Sequence, residues 1–190
     1  MPESCAGRKR DPIGRLLSSK RQDHGRHPMP SHPEVRRARL PEPYGLPKDS
    51  PTLSWESVEA RFKAALHYWI STADTEGTPL ARPIDAVWLD GALYFGGHED
   101  ARWQRNLRAN PRACVTLEDA ENVVILEGVV EHFVPEEAFA LAMGDAANEK
   151  YEFGGNAAEL YRAGACRFRP TVGHAWTLLY KDATRFRFES

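Results

Sequence analysis

The stretch Arg82–Pro111, RPIDAVWLDGALYFGGHEDARWQRNLRANP, contains the strongest local folding signal in the chain. At its centre, Asp90-Gly91 lies between two apolar runs, 84–89 and 92–95. An Asp-Gly pair in such a position is among the strongest short-range signals for a two-residue hairpin turn. The sequence therefore predicts two antiparallel strands joined by a tight turn.

A short arginine-rich helix is predicted directly after this hairpin. The second strand ends at Gly96-Gly97, where the absence of side chains lets a ligand approach the backbone. The helix begins near Ala101 and ends at Asn110-Pro111, because a residue before proline is disfavoured in the helical region. Unpaired N–H groups at a helix start, together with guanidinium groups, favour a bound phosphate. The candidate anion ligands are Arg82 and Arg102, whereas Arg105 and Arg108 are expected on the solvent face.

The rest of the chain is dominated by β-forming segments. The predicted strands are 67–73, 80–89, 92–96, 112–118, 123–134 with a bulge or bend at Gly128, 166–179 with an interruption at Pro170, and 184–188. Further helices are predicted after the N-cap Ser54, from Pro135 to about Ala147, and over 157–161. Six or seven strands in hairpin connections, with helices only at the edges, favour a mainly β fold that closes into an antiparallel barrel.

Residues 1–50 differ in composition from the remainder. They hold eight of the 14 prolines, 11 Lys and Arg against six Asp and Glu, and one aromatic residue, Tyr44. Such a segment cannot bury enough apolar surface to offset the entropy of ordering. We therefore expect a disordered basic arm at 1–50 and one globular domain at 52–190. The basic residues are dispersed, which disfavours nucleic-acid binding. Translation from Met29 is an alternative that removes the first 28 residues.

Several classes of function find no support in the sequence. No apolar run is long enough to span a membrane and no signal peptide is recognisable, so a cytoplasmic location is expected. The three cysteines lack CxxC spacing, and neither a disulfide framework nor a metal site is predicted. The motifs of P-loop enzymes, zinc proteases and serine hydrolases are also missing from the sequence.

Three motifs occur in order: RPxxxVW at 82–88, DGxLYF at 90–95 and RNLRxNPR at 105–112. Together they resemble the FMN-binding split-barrel family, which includes pyridoxamine 5'-phosphate oxidase and the actinobacterial reductases that use a flavin or the deazaflavin F420. The resemblance covers about residues 66–188. It implies a six-stranded antiparallel split β-barrel that forms a homodimer, with FMN or F420 at the interface.

The resemblance also implies a set of cofactor-binding residues. Arg82 and Arg102 would hold the phosphate. The backbone around Ile84 and Asp85 would face the flavin ring. The remaining candidates are Phe95 and Gly96 along the ribityl chain, and Trp176 and Arg185 reaching across from the partner subunit.

The sequence departs from the oxidases at three further positions. Ala101 stands where they have a serine, and Trp103 and Val87 stand where they have lysines. Trp103 either packs in the core or flanks a planar ligand. These departures make the chain more similar to the reductases than to enzymes that oxidise pyridoxamine phosphate.

Two functions are expected from the resemblance. The first is an oxidoreductase that uses FMN or F420 for hydride transfer to or from a small organic substrate. The alternative is a split barrel that binds a flavin or haem without catalysis, for storage or sensing. The sequence identifies no catalytic residue. His98, on the loop after Gly96-Gly97, is the histidine to test for substrate contact, whereas His132 is expected to have a structural role.

Overall fold

The computed structural model describes residues 32–42 and 44–189, which form nine strands and five helices. The strands are β1 (Glu34–Arg37), β2 (Tyr68–Ala73), β3 (Pro79–Ile84), β4 (Val87–Leu89), β5 (Ala92–Phe95), β6 (Arg112–Thr116), β7 (Val123–Phe133), β8 (Ala165–Trp176) and β9 (Thr184–Arg187). The helices are α1 (Trp55–Ala64), α2 (Arg102–Ala109), α3 (Glu137–Tyr151), α4 (Glu159–Arg162) and α5 (Leu179–Asp182).

The described strands form one antiparallel sheet in the order β1-β9-β8-β7-β6-β2-β3. Strand β8 pairs with β7 along its length. Its other edge is shared, since β5 pairs with residues 166–168 and β9 pairs with residues 172–175. The mainly β architecture with peripheral helices is confirmed. The predicted closure is wrong, because among the described residues the sheet has nine strands and no ladder joins β3 to β1.

The predicted bulge at Gly128 is confirmed. The register between β7 and β8 shifts between Glu127 and Gly128, and Thr171 is the extra residue of β8 at that point. A Cβ atom on Gly128 would lie 2.8 Å from the carbonyl carbon of Arg169, so only glycine fits this close approach. The strand predicted from residue 166 is therefore not interrupted at Pro170. It continues through Pro170 and carries its bulge at Thr171.

The hairpin at Asp90-Gly91 is also confirmed. Both residues have a positive φ, 48° and 77°, and Leu89 pairs with Ala92 across a two-residue turn. The predicted strand 80–89 is wrong in one respect, because it breaks at Asp85 and Ala86. Strand β3 before the break pairs with β2, and β4 after it pairs with β5.

Two hydrophobic clusters cover the two faces of the hairpin region. The larger lies between the sheet, α1 and α2, and includes the fully buried Phe62, Ile70 and Phe186. Burial of one such side chain stabilises the fold by about 1.5–3 kcal/mol. The smaller cluster packs the outer side of the hairpin against α3 and α4, through Val87, Tyr94, Met143, Ala147 and Tyr161.

Two further segments differ from expectation. Residues 34–37 lie in the segment predicted to be disordered, yet they form β1, which pairs with β9; residues 1–31 lie outside the described residues. The strand predicted to reach residue 179 ends at Trp176. Helix α5 follows because the Asp182 carboxylate accepts hydrogen bonds from the backbone N–H groups of Thr177 and Leu178, at 2.9 and 3.0 Å.

Candidate functional site

Both predicted anion ligands, Arg82 and Arg102, lie beside the start of α2. The Arg102 guanidinium is about half exposed and lies 3.7 Å from the Asp74 carboxylate. Hydrogen bonds from Thr78 and Glu76, together with Arg102, hold the pKa of Asp74 below its usual range. An exposed ion pair at this distance is weak because solvent screens it, so Arg102 can exchange Asp74 for a stronger anion.

Arg82 reaches the same helix from the sheet. It lies on the edge strand β3 and is exposed, with its guanidinium carbon 5.3 Å from the centre of the Trp103 ring. Trp103 is 4% exposed and packs on Phe95, with ring centres 5.8 Å apart. The Trp103 ring thus belongs to the core and also supports Arg82; contact with a planar ligand stays a prediction.

The two glycines that follow β5 differ in their surroundings. A Cβ atom on Gly97 would lie 2.7 Å from Nε2 of Gln104 and 2.8 Å from Cη2 of Trp103, which are both buried side chains. A Cβ atom on Gly96 would meet only the carbonyl oxygen of Leu160, at 3.5 Å. The backbone at Gly97 therefore rests directly on the first turn of α2.

Three other predicted residues can offer a ligand different groups. The side chains of Ile84 and Phe95 are buried in the larger cluster, so their backbone is the part that could meet a cofactor. The Asp85 carboxylate is about half exposed. It lies 3.0 Å from Nδ1 of His67, a residue that the sequence interpretation did not select.

The break between β3 and β4 is held by residues from the end of α3. The Tyr151 hydroxyl accepts from the Ala86 N–H and donates to the Ala86 carbonyl, each at 2.8 Å. Lys150 donates to the same carbonyl at 3.3 Å and to the Tyr68 hydroxyl at 2.7 Å. Burial lowers the pKa of Lys150 to about 8 and raises the pKa of Tyr151 to about 12. Two residues that lie 64 and 65 positions after Ala86 in the sequence thus fix the backbone next to Asp85.

Trp176 and Arg185 lie elsewhere, in a cleft of about 730 Å³ on the outer face of the sheet. Its polar lining includes His174 and Glu127, and its wall is completed by arginines of the N-terminal segment, Arg36, Arg37 and Arg39. Arg36 and Arg37 lie within residues 1–50, for which the sequence predicted a disordered arm with dispersed basic residues. Their partner strand, β9, could not be identified from composition.

The sheet register separates the two groups of candidate residues. Arg82 pairs with Ile70, and the same row continues through Val115, Leu126 and Gly173 to Phe186. Directly opposed residues share a face, and successive residues of a strand alternate. Arg185, next to Phe186, therefore projects from the opposite face to Arg82. Within one chain the sheet lies between them.

The remaining histidines match their expected positions. His98 is exposed on the loop before α2, where its Nδ1 lies 3.8 Å from Asp100. His132 lies 3.0 Å from the buried Gln104 amide through Nε2, and burial lowers its pKa. This is the structural role predicted for it. No cluster of His, Cys, Asp and Glu suited to a metal ion occurs in the described part of the chain.

Comparisons with known proteins agree with this architecture. The family model of pyridoxamine 5'-phosphate oxidase matches residues 54–170. No curated protein sequence matches the chain significantly. None of the helices in the described ranges is long and apolar enough to cross a membrane.

Solved structures share the fold at low sequence identity. A conserved hypothetical protein of Mycobacterium tuberculosis is 19% identical, with a TM-score of 0.58 over 69% of this chain and 88% of that one. An F420 reductase is 22% identical, with a TM-score of 0.50 over 60% and 94%. HutZ, the haem storage protein of Vibrio cholerae, is 16% identical, with a TM-score of 0.51 over 61% and 89%. These likenesses show the split-barrel fold.

The adjacent glycines provide a matched pair of substitutions. We expect Gly97→Ala to lower the free energy of unfolding by roughly 1–3 kcal/mol, because the added methyl group overpacks buried Trp103 and Gln104. Gly96→Ala should change it by less than about 0.5 kcal/mol. Urea denaturation followed by tryptophan fluorescence measures both; equal effects of the two changes would contradict the close packing at Gly97.

The Lys150 environment predicts a pH dependence of stability. Because the pKa is about 8 in the folded chain and 10.5 when unfolded, the unfolded state binds more protons between these values. Stability should therefore rise as the pH increases from 7.5 to 9.5. In Lys150→Met, which keeps the apolar stem, this rise should be smaller. Urea unfolding across that range compares the two proteins, and parallel profiles would refute the assignment to Lys150.

Proposed function

Because the chain belongs to the pyridoxamine 5'-phosphate oxidase family, we propose that it is an oxidoreductase that uses FMN or F420 for hydride transfer to or from a small organic substrate. The observation that carries this proposal is the pair of exposed guanidinium groups, Arg82 and Arg102, at the start of α2. Arg82 lies over the Trp103 ring, and Arg102 directly precedes Trp103 in the sequence.

These residues fit a phosphate group. The N-cap of α2, Ala101, provides no side-chain hydrogen bond, so the first-turn N–H groups stay available to an anion. The two arginines add charge beside the first turn of α2. Gly97, which carries no Cβ, keeps the backbone close to the helix. The missing serine and lysines reduce the number of possible contacts to phosphate, which favours a cofactor that is held loosely.

The chain's own groups would orient the cofactor and its substrate. FMN or F420, when bound, supplies the hydride chemistry. The backbone at Ile84 and Asp85 would face the ring, since Tyr151 satisfies both polar groups of Ala86 and holds the β3–β4 break open. The half-exposed His67 and Asp85 pair lies at this break and could hold a proton for a substrate.

A homodimer would unite the two groups of candidate residues. Trp176 and Arg185 lie on the outer face of the sheet, whereas Arg82 lies on the other face and at an edge. The outer face also carries Trp69, which is 41% exposed, in the same row as Ile125. These two apolar side chains, at the end of the row away from Arg185, are suited to contact a second copy of the chain. We propose that the cofactor binds between the two copies.

A second candidate function, haem or flavin binding without catalysis, rests on His174. This imidazole lines the outer cleft among arginines, and burial lowers its pKa, which favours the neutral form. A neutral imidazole can ligate iron, and arginines can pair with propionates. A bound cofactor that can be reduced but passes no electrons to any acceptor would favour this function over the first.

The phosphate assignment predicts a selective loss of affinity. Replacing both Arg82 and Arg102 by alanine should weaken FMN binding roughly 100-fold, since each charge-assisted hydrogen bond contributes about 1.5–3 kcal/mol before screening. Riboflavin, which lacks the phosphate, should bind the double variant and the wild type equally. Flavin fluorescence quenching measures both ligands.

Arg108 offers the matched control. It lies on the same helix, but its guanidinium already pairs with the Glu99 carboxylate, 3.8 Å away, and donates to the Glu99 carbonyl at 2.8 Å. Arg108→Ala should leave FMN affinity unchanged. If the wild type binds neither FMN nor F420 at micromolar concentration, the proposed function is wrong; if riboflavin loses as much affinity as FMN, the arginines do not bind the phosphate.

A further inference from the structure

Strand β1 adds a wall of arginines to the cleft on the outer face. It pairs with β9 from Glu34 to Arg37, and the chain then continues along the cleft through Arg39 and Leu40. This segment precedes residues 54–170, which match the family model. The wall is thus an addition of this chain to the matched part of the fold.

Like charges are placed side by side in this wall. Arg36 of β1 is directly opposite Arg185 of β9, and Arg185 is directly opposite His174 of β8. Directly opposed residues project from the same face, and like charges in such pairs are destabilising. Burial, and to a smaller extent the Arg185 charge, lowers the pKa of His174. The like-charge pair is therefore Arg36 and Arg185, which the register places side by side in one row.

Only part of this charge is neutralised by the described residues. Arg36 forms an ion pair with the Glu34 carboxylate, to which it donates through Nε, at 2.8 Å, and through Nη2. Arg37 donates to the Pro47 carbonyl at 2.7 Å. Arg39 and Arg185 form neither a hydrogen bond nor an ion pair with the described residues. Among the lining residues, Glu127 is the one carboxylate. The cleft consequently has more cations than its own side chains can balance.

The other walls of the cleft are apolar. Ile125, Trp176, Leu40 and Leu179 line it, and its volume of about 730 Å³ is within the range of ligand sites. Arginines in such surroundings are suited to phosphate or carboxylate groups, which they bind through paired N–H donors. A single small anion would leave most of these donors unused.

We propose that β1 completes an anion subsite in this cleft, which takes a ligand with at least two phosphate or carboxylate groups. One group binds between Arg36 and Arg185, and another binds at Arg39. Within one chain the subsite lies on the opposite face of the sheet from Arg82, and its test requires no flavin.

Inorganic tripolyphosphate tests the subsite without any cofactor. By isothermal titration calorimetry on the full chain, tripolyphosphate should bind at least about tenfold more tightly than inorganic phosphate. The Arg36→Ala/Arg39→Ala double variant should lose at least about tenfold in affinity for tripolyphosphate, and its affinity should depend less on salt. Glu127→Gln should bind more tightly than the wild type, because it removes the opposing carboxylate.

Two controls separate this subsite from general attraction to arginine. Arg112→Ala removes one positive charge from β6, outside the cleft, and should leave affinity unchanged. Arg162→Ala, on α4 and outside the cleft, should also leave it unchanged, and because the titration contains no flavin, failure of the flavin proposal is read independently. Thermal unfolding midpoints of the β1 variants establish that they are folded.

The outcomes divide plainly. Tripolyphosphate binding no tighter than that of phosphate, or an equal loss in Arg112→Ala, would overturn the proposal. If F420 or FMN displaces tripolyphosphate, the subsite belongs to the cofactor. If neither does, while the β1 variants show the expected loss, it belongs to an anionic substrate.

Discussion

The contact between Gly128 and the Arg169 backbone is the constraint on which the sheet depends. Because glycine permits this approach, β8 can add Thr171 as a bulge while it stays paired with β7. The strand then presents one half of its free edge to β5 and the other half to β9. The hairpin that leads to α2 pairs with the first half through β5. The cleft lined by His174 and Trp176 lies beside the second half, where β9 pairs. Both candidate regions thus depend on one irregularity in a two-strand ribbon.

The features that sequence could predict are those with local causes. Asp90-Gly91 specifies its turn through two positive φ angles, and Asn110-Pro111 ends α2 through a steric effect on the preceding residue. The β3–β4 break could not be predicted, since its cause is the Tyr151 hydroxyl on a distant helix. Strand β1 was missed for a similar reason: composition describes what a segment can bury by itself, whereas β1 is ordered by the edge of β9. Arg82 and Arg102 lie beside α2 as the sequence predicted, while their binding of an anion stays a prediction; the arginine wall of the outer cleft was not predicted.

Net charge gives no indication of how these arginines are distributed. The chain carries a formal charge of -2, yet its outer cleft has four arginines and one carboxylate among its lining residues. Near α2 the balance is different, because Asp74 stays ionised and holds Arg102 loosely. A ligand there must compete with a carboxylate, which favours doubly charged phosphate over weaker anions. In the outer cleft, Arg36 pairs with Glu34 and Arg37 with the Pro47 carbonyl, whereas Arg39 and Arg185 form no ion pair with the described residues; for the ligand proposed there, the number of anionic groups would matter more than the strength of any one.

The register also decides how one ligand could use both regions. Five strand-to-strand steps separate β3 from β9, about 24 Å along the sheet, and Arg82 and Arg185 project from opposite faces. A cofactor held by Arg82 cannot cross its own sheet to reach Trp176. It can meet an equivalent Trp176 only when a second copy places its outer face against the first copy's α2 edge. The partly exposed row through Trp69 and Ile125 provides apolar surface for such an approach. Dimerisation and cofactor binding are therefore coupled in the proposed function, because each chain supplies half of every site.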